Sequence, residues 1–281
     1  MSIFFTKTAI GYSHILQGKR CQDFSASYSD EERTIVTACD GHGGNVYIRS
    51  HLGSKFASSA AIDVLREVEK TAFHKNKKDA IIENIRLNIL CRWNALVEGH
   101  LSRNPIRMSE IGELTDAEIL SLRKNPIKAY GTTLNAAMLL GTKLVCVSIG
   151  DGGCFLVKSG IVAPAFAEDE DEPVANITYS LCQDDAFSHL LVAAHELSAY
   201  DGAVVCTDGM INPYQNLSNF SSGLIAPAIA TLFAGKVKSL ENFISEVGGR
   251  LGTGDDVSLG IVAKDKLSSR IYKHTKTMEG E

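Results

Sequence analysis

The stretch Thr-Ala-Cys-Asp-Gly-His-Gly-Gly, residues 37–44, ends an apolar run on one carboxylate, one imidazole and three glycines. The segment that contains it, ERTIVTACD (32–40), is rich in β-branched residues and reads as a buried strand feeding a loop. The glycines clear side chains from around Asp40 and His42, so that other backbone can approach closely. A turn alone would explain them, because Asp and Gly are common turn formers. It does not explain the recurrence. Asp151 follows VCVSIG and precedes Gly-Gly, Asp208 follows VVCT and precedes Gly, and Asp255 and Asp256 follow GTG and lead into VSLGIV. An ionised Asp is a short, oxygen-only ligand suited to hard divalent cations such as magnesium or manganese. Several such carboxylates in one place repel one another unless cations neutralise them.

Outward from this loop, residues 54–68 and 81–97 carry apolar side chains at helical spacing and predict two long amphipathic helices. Thr115 and Glu118 have capping-box spacing and predict the start of a short helix. The period then changes: TTLNAAMLL (132–140), KLVCVSI (143–149) and CFLVKSG (154–160) read as a strand meander with Gly-containing turns. GAVVCTD (202–208) predicts another strand. Helices are expected over 223–234 and 238–251, the second with Leu240, Phe243, Ile244, Val247 and Leu251 on one stripe, before a last strand at 257–263. Runs of strands and runs of helices without strict alternation argue for an α+β fold with mostly antiparallel pairing. No repeat or long linker divides the chain, so residues 1–263 are expected to form one domain, followed by a polar tail, 264–281.

A net charge of −5 gives no general attraction to nucleic acid or to anionic membranes, and no apolar run has the length needed to span a bilayer. The N-terminus lacks the pattern of a signal peptide. Seven cysteines, odd in number and without C-x-x-C spacing, suggest free thiols in a reducing cytoplasm rather than a disulfide framework or a zinc site. Cys39, Cys146 and Cys206 fall within strand-like runs and are expected to be buried.

The ordered set of motifs resembles the metal-dependent type 2C serine/threonine protein phosphatases. Asp40 to Gly44 is similar to that family's DGHGG motif, Gln22-Asp23 to its N-terminal acidic motif, and Gly131-Thr132-Thr133 to its GTT strand start. Ile149-Gly150-Asp151, Thr207-Asp208-Gly209 and Asp255-Asp256-Val257-Ser258 resemble its V-G-D, S-D-G and D-N-x-T motifs. Gly11 to His14 and Lys19 to Asp23 look most like the bacterial-type branch. The resemblance implies two packed antiparallel β-sheets flanked by α-helices, a four-layer αββα sandwich with a metal site at one edge. It implies Mn2+ or Mg2+, two ions with a third at an accessory site in many bacterial relatives, and hydrolysis of phosphoserine or phosphothreonine by direct attack of a metal-bridging water. By the same resemblance Asp40 would bridge the metals and the Gly41 carbonyl would bind one. Asp208 and Asp255 would hold the second, Asp23 would act through water, and Asp151 with Asp208 would form the accessory site. His42 matches the position of a general acid toward the leaving oxygen.

Several positions depart from that pattern. Gly18, with Lys19 and Arg20 beside it, stands near the place of the substrate-binding arginine, and Gln22 replaces a glutamate common in animal members. Gly152-Gly153 replaces Ser-Arg, and Asp256 replaces asparagine, which leaves the choice of ligand between Asp255 and Asp256 open. The expected partner is a phosphorylated protein, met by a monomeric cytoplasmic enzyme. A phosphoprotein-binding pseudophosphatase and a small-molecule phosphoesterase are the alternatives. The acidic segment AEDEDEP (167–173) is expected to influence substrate choice, its charge favouring basic phosphopeptides.

Overall fold

A computed structural model of the protein describes residues 2–73, 78–167 and 178–265. In chain order, β1 (Ser2–Ala9), α1 (Tyr12–Gln17), β2 (Phe24–Ser29) and β3 (Arg33–Cys39) lead into the long helices α2 (Ser50–Glu67) and α3 (Lys78–Arg103). Short helices α4 (Met108–Ile111) and α5 (Asp116–Lys124) follow, then β4 (Leu134–Leu140), β5 (Lys143–Ile149), β6 (Gly153–Lys158) and β7 (Ile161–Pro164). The chain continues through α6 (Ala186–His189), β8 (Leu191–Glu196), β9 (Gly202–Cys206), α7 (Asp208–Ile211) and α8 (Leu217–Phe220). It closes with α9 (Ala226–Phe233), α10 (Val237–Val247) and β10 (Val257–Lys264).

The strands form two five-stranded sheets, ordered β1-β10-β9-β6-β7 and β2-β3-β4-β5-β8, with every neighbour antiparallel. Alternate residues build separate layers of core, as the two-residue period of a strand requires. Along β3, Ile35 and Cys39 join the cluster under α2 and α3, whereas Val36 and Ala38 face the other sheet. Val36, Ala137, Leu139 and Cys146 from one sheet meet Leu156, Val205 and Val262 from the other. Phe155, Val204, Leu259 and Ile261 instead pack against Leu224, Ile229, Leu240 and Ile244 on the opposite helical face. The order is therefore helices, sheet, sheet, helices, the αββα sandwich expected from the resemblance. With both faces covered, the inner strands carry continuous apolar runs rather than alternation.

Several helix boundaries differ from the sequence reading: α2 begins at Ser50, four residues before the stretch expected, and α3 spans Lys78–Arg103, longer than 81–97 at both ends. α10 stops at Val247, so Leu251, expected on its buried stripe, is fully exposed at 100%. The reason is local: Gly248-Gly249 follows, and glycine adds conformational entropy that a last helical turn must overcome. The helix expected over 223–234 is preceded by α8 and a π-turn, Ser221–Ile225, so that helical backbone begins at Leu217. By contrast, α5 starts where its capping box placed it: Thr115 Oγ1 accepts from the Glu118 N–H, and the Glu118 carboxylate accepts from the Thr115 N–H. Among the described residues no helix is long and apolar enough to cross a membrane. Most of the acidic segment 167–173, and the tail from 266 onward, lie outside the described residues.

Candidate active site

Antiparallel register gathers the aspartates at one edge of the sandwich. Phe24 pairs with Cys39, which puts Asp23, just before β2, beside Asp40, just after β3. Leu134 pairs with Ile149, so the start of β4 lies against the end of β5, two residues before Asp151. Cys206 pairs with both Gly153 and Leu259, which sets Asp208 between the Asp151 loop and the Asp255-Asp256 pair. Five sequence-distant segments converge for one topological reason: neighbouring antiparallel strands share ends.

Carboxylate oxygens of Asp40, Asp151 and Asp208 all lie within 4.8 Å of one another. Asp255 is exposed and outside this trio, although its charge acts on both Asp40 and Asp208. Asp23 is buried. Its Oδ2 accepts from Thr207 Oγ1 at 2.8 Å, and its Oδ1 has no hydrogen-bond partner among the described residues. Burial, then the neighbouring Asp40 charge, pushes the Asp23 carboxyl well above the usual carboxylate range. Burial and the charges of Asp208 and Asp151 push Asp40 up to about 8. Asp208 is raised as well, by burial and then Asp151. This is the electrostatic state of a site built for positive charge.

The expectations of a cation site meet an all-oxygen donor set here: three converging carboxylates and an orphaned buried oxygen on Asp23. That set fits hard divalent cations and offers no soft ligand. The residues that hold the backbone of Asp40 in place are the Thr pair of the GTT motif. Thr132 Oγ1 donates to the Asp40 carbonyl at 2.7 Å, the Thr133 N–H donates to the same carbonyl at 2.8 Å, and the Asp40 N–H donates to Thr133 Oγ1 at 3.0 Å. The backbone around Asp40 is thereby fixed from both sides.

The glycines divide into two kinds. A Cβ on Gly41 would sit 2.7 Å from the carbonyl oxygens of both Gln22 and Ser50, so the loop passes between two backbones with no room for a side chain. Gly43 has room, its nearest neighbour being the Gln22 side chain at 3.7 Å, whereas a Cβ on Gly44 would press on the Tyr47 ring at 3.2 Å. Close backbone approach is thus a requirement at Gly41 only. At the V-G-D turn, Gly150 holds φ at +104°, a conformation that other residues rarely adopt.

His42 lies after Gly41 with its ring tilted against Tyr47, centroids 4.8 Å apart, and its N–H donates to the Gly131 carbonyl. Burial lowers its pKa and the Asp151 charge opposes that shift. Cys39, next to Asp40, is fully buried, and burial pushes its thiol well above the ordinary value, so it packs rather than reacts. All seven cysteines are free, and Cys39, Cys146 and Cys206 are buried.

The resemblance puts Asp255 forward as the ligand with Asp256 as the alternative, and their surroundings separate the two. Asp256 is buried and committed to backbone: Oδ1 accepts from the Gly11 N–H at 2.7 Å and Oδ2 from the Gln22 N–H at 2.6 Å. His14 Nδ1 lies 2.9 Å from the same carboxylate. Asp256 therefore ties the segment before Asp23 to β10, and Asp255 is the one left facing the cluster. In the sequence His14 belongs to the Gly11–His14 motif, which carries no signal of this tie. Lys19 and Arg20 line a cavity of about 820 Å³ whose wall includes Gln22, Gly43 and Gly44. They stand beside the Asp40–Gly44 loop, not within the aspartate trio.

Comparison with known proteins extends the same pattern along the chain. The family model for protein phosphatase 2C matches residues 10–245. A solved bacterial serine phosphatase superposes with a TM-score of 0.57 at 15% identity, covering 93% of this chain and 96% of its own. The catalytic domain of serine threonine protein phosphatase PstP, solved with two manganese ions, gives a TM-score of 0.54 at 16% identity over 94% of this chain and 99% of its own. Serine/threonine phosphatase Stp1 from Staphylococcus aureus gives 0.54 at 13% identity over 94% and 95%. Comparison with curated protein sequences gives no match. The structural likenesses, at these identities, show the shared fold, and the match to the family model over most of the chain shows the relationship. This chain belongs to the protein phosphatase 2C family.

Proposed function

We propose that the protein is a metal-dependent serine/threonine phosphoprotein phosphatase, acting as a cytoplasmic monomer. The observation that carries this reading is the convergence of Asp40, Asp151 and Asp208 within 4.8 Å, with the unpartnered Oδ1 of Asp23 behind them. Asp40, Asp208 and the Gly41 carbonyl would hold Mn2+ or Mg2+, with Asp255 completing the second position, Asp23 acting through water and Asp151 serving an accessory ion. Such cations supply neutralisation of the phosphoryl charge and acidify water at neutral pH.

The chain's own residues do the rest. The Thr132–Asp40–Thr133 clamp fixes the backbone that carries the central carboxylate, so that the loop holds its place beside the other aspartates. His42, on the loop that passes Asp40, donates a proton to the departing serine or threonine oxygen. Tyr47 and Gly131 hold its ring and backbone against rotation. The family likeness makes water the attacking group, in line with that leaving oxygen, and the buried, protonated Cys39 beside Asp40 offers no competing thiolate. The family likeness and the chemistry of the aspartates support this reading together.

The test is a substrate panel. Phosphothreonine and phosphoserine peptides, p-nitrophenyl phosphate and small phosphorylated metabolites are incubated with manganese or magnesium, and with EDTA. Turnover of the peptides that needs metal and exceeds turnover of the metabolites is expected. A metabolite preferred over every peptide would make the protein a small-molecule phosphoesterase instead.

A further inference from the structure

The cavity beside the catalytic loop has the opposite charge to the site it adjoins. Its walls come from the Lys19–Gln22 segment, the loop from Gly43 to Arg49, the start of α2 and the stretch from the end of α3 into α4. Four cations line it: Lys19, Arg20, Arg49 and Arg107. Arg49 is buried and already matched. Its Nε and one terminal nitrogen donate to the two Glu110 oxygens at 2.8 and 2.9 Å, and its other terminal nitrogen donates to the Tyr130 hydroxyl and the Asn104 carbonyl. Glu110, the one carboxylate on the wall among the described residues, is therefore engaged by the Arg49 guanidinium and by the Arg107 backbone N–H.

Lys19, Arg20 and Arg107 are exposed, and among the described residues no side-chain nitrogen of the three lies within 4.0 Å of a carboxylate, although the Arg107 backbone N–H donates to Glu110 Oε2 at 2.9 Å. His51, on the same wall with Arg20 3.4 Å from its Nε2, feels this surplus. Burial lowers its pKa first, and Arg20, Arg49 and His100 add to the effect while Glu110 opposes it. The cavity thus keeps a local positive charge within a protein whose net charge is −5. A concave wall that concentrates one sign of charge favours ligands of the other sign.

The position of the cavity says which ligand. Gly43 and Gly44 form part of its wall, and Gly43 is three residues from Asp40, so the two lie at most about 11 Å apart. An extended peptide advances about 3.3 Å per residue. With its phosphate at the aspartates, such a peptide would bring a side chain two to four residues away into the cavity. We propose that this cavity is a substrate subsite for an anionic side chain, so that the protein selects phosphorylated polypeptides carrying a carboxylate two to four residues from the phosphoresidue. The inference rests on the phosphatase reading, and it runs against the preference for basic peptides expected from the acidic segment 167–173. Arg107 is the specificity residue to test, because it lines the cavity from the stretch between α3 and α4 and is not among the residues gathered around the aspartates.

The experiment uses phosphothreonine peptides that differ only in having Glu, Gln or Lys at these flanking positions. Manganese-dependent kcat/KM is compared for wild type, Arg107→Gln and Arg107→Glu, with p-nitrophenyl phosphate as the control for basal chemistry. Affinity of fluorescein-labelled peptides is read by anisotropy in EDTA, so that selectivity is measured even if no peptide turns over. The expected result is a Glu-over-Lys preference of about fivefold or more at low salt, the size of one well-placed charge interaction. Arg107→Gln should reduce that preference and Arg107→Glu abolish it, both with p-nitrophenyl phosphate hydrolysis unchanged. Equal use of the three peptides, a preference for Lys, or a Glu preference indifferent to Arg107 would overturn the subsite. Loss of all hydrolysis with the Glu preference retained in binding would overturn the phosphatase reading and leave the subsite standing.

Discussion

Replacing Asp40 by Asn should make the metal-free protein more stable, although it removes the central carboxylate of the site. Burial and the charges of Asp208 and Asp151 put the Asp40 carboxyl at about 8 in the folded state, against an ordinary 3.8. Between those values the folded chain holds a proton that the unfolded chain has lost. Stability therefore falls as pH rises across the window, and the loss is complete above about 8. A window about four pH units wide corresponds to a ceiling of about 6 kcal/mol. Asp40 is only half-buried by surface area and Asp208 can take up a proton in its place, so a realised cost of about 2–3 kcal/mol is the better expectation. Urea unfolding in EDTA, at pH 5 and at pH 8.5, measures it. Wild type should lose that amount between the two conditions relative to Asp40→Asn, and saturating manganese should restore wild type far more than the variant. Equal stability of wild type at both pH values, or an Asn variant less stable than wild type in EDTA at pH 8.5, would refute the reasoning.

Three further outcomes follow from other parts of the structure. Gly41→Ala should cost about 2 kcal/mol or more and depress activity, because its Cβ would meet two carbonyls at 2.7 Å, whereas Gly43→Ala should change stability by under about 0.5 kcal/mol; thermal unfolding of both variants checks this. Thr132→Val removes one of the two hydroxyls that fix Asp40 and should weaken manganese binding about tenfold by titration calorimetry while leaving the fold intact. Glu110 is held down to about 2 by Arg49, so its contribution to stability is full above about 4.5 and is lost as pH falls toward 2. Glu110→Gln should cost about 1–2 kcal/mol at pH 7, less than a fully buried pair because Glu110 is partly exposed and Arg49 keeps three other acceptors; the cost should vanish by pH 2.

Which strands were visible in the sequence has a single physical cause. The six predicted from apolar runs are β3, β4, β5, β6, β9 and β10, the interior strands of both sheets. The four not predicted, β1, β7, β2 and β8, are the four edges. An interior strand here is covered on both faces, and LNAAMLL is buried at every position. An edge strand pairs on one side and meets water, and FSASYS in β2 has no fully buried residue. Its polar and small side chains carry no run to detect, and they also discourage pairing with another chain.

The site was legible to a similar depth. The aspartates announced themselves by recurring at strand ends, and the register explains why strand ends converge. What spacing could not rank was their distance from one another: Asp151 joins Asp40 and Asp208 within 4.8 Å, and Asp255 stands outside. Nor could it tell Asp255 from Asp256, since the difference lies in two backbone N–H groups, of Gly11 and Gln22, more than two hundred residues away. Arg107 gave no signal at all, because its role depends on a cavity assembled from four separate segments.

The most direct test of the metal site is manganese-dependent phosphate release from a phosphothreonine peptide by wild type and by Asp208→Asn, with EDTA as control. Release by wild type that requires manganese and is lost in the variant is the predicted result. A wild type that binds manganese and releases no phosphate, or an Asp208→Asn protein as active as wild type, would contradict it.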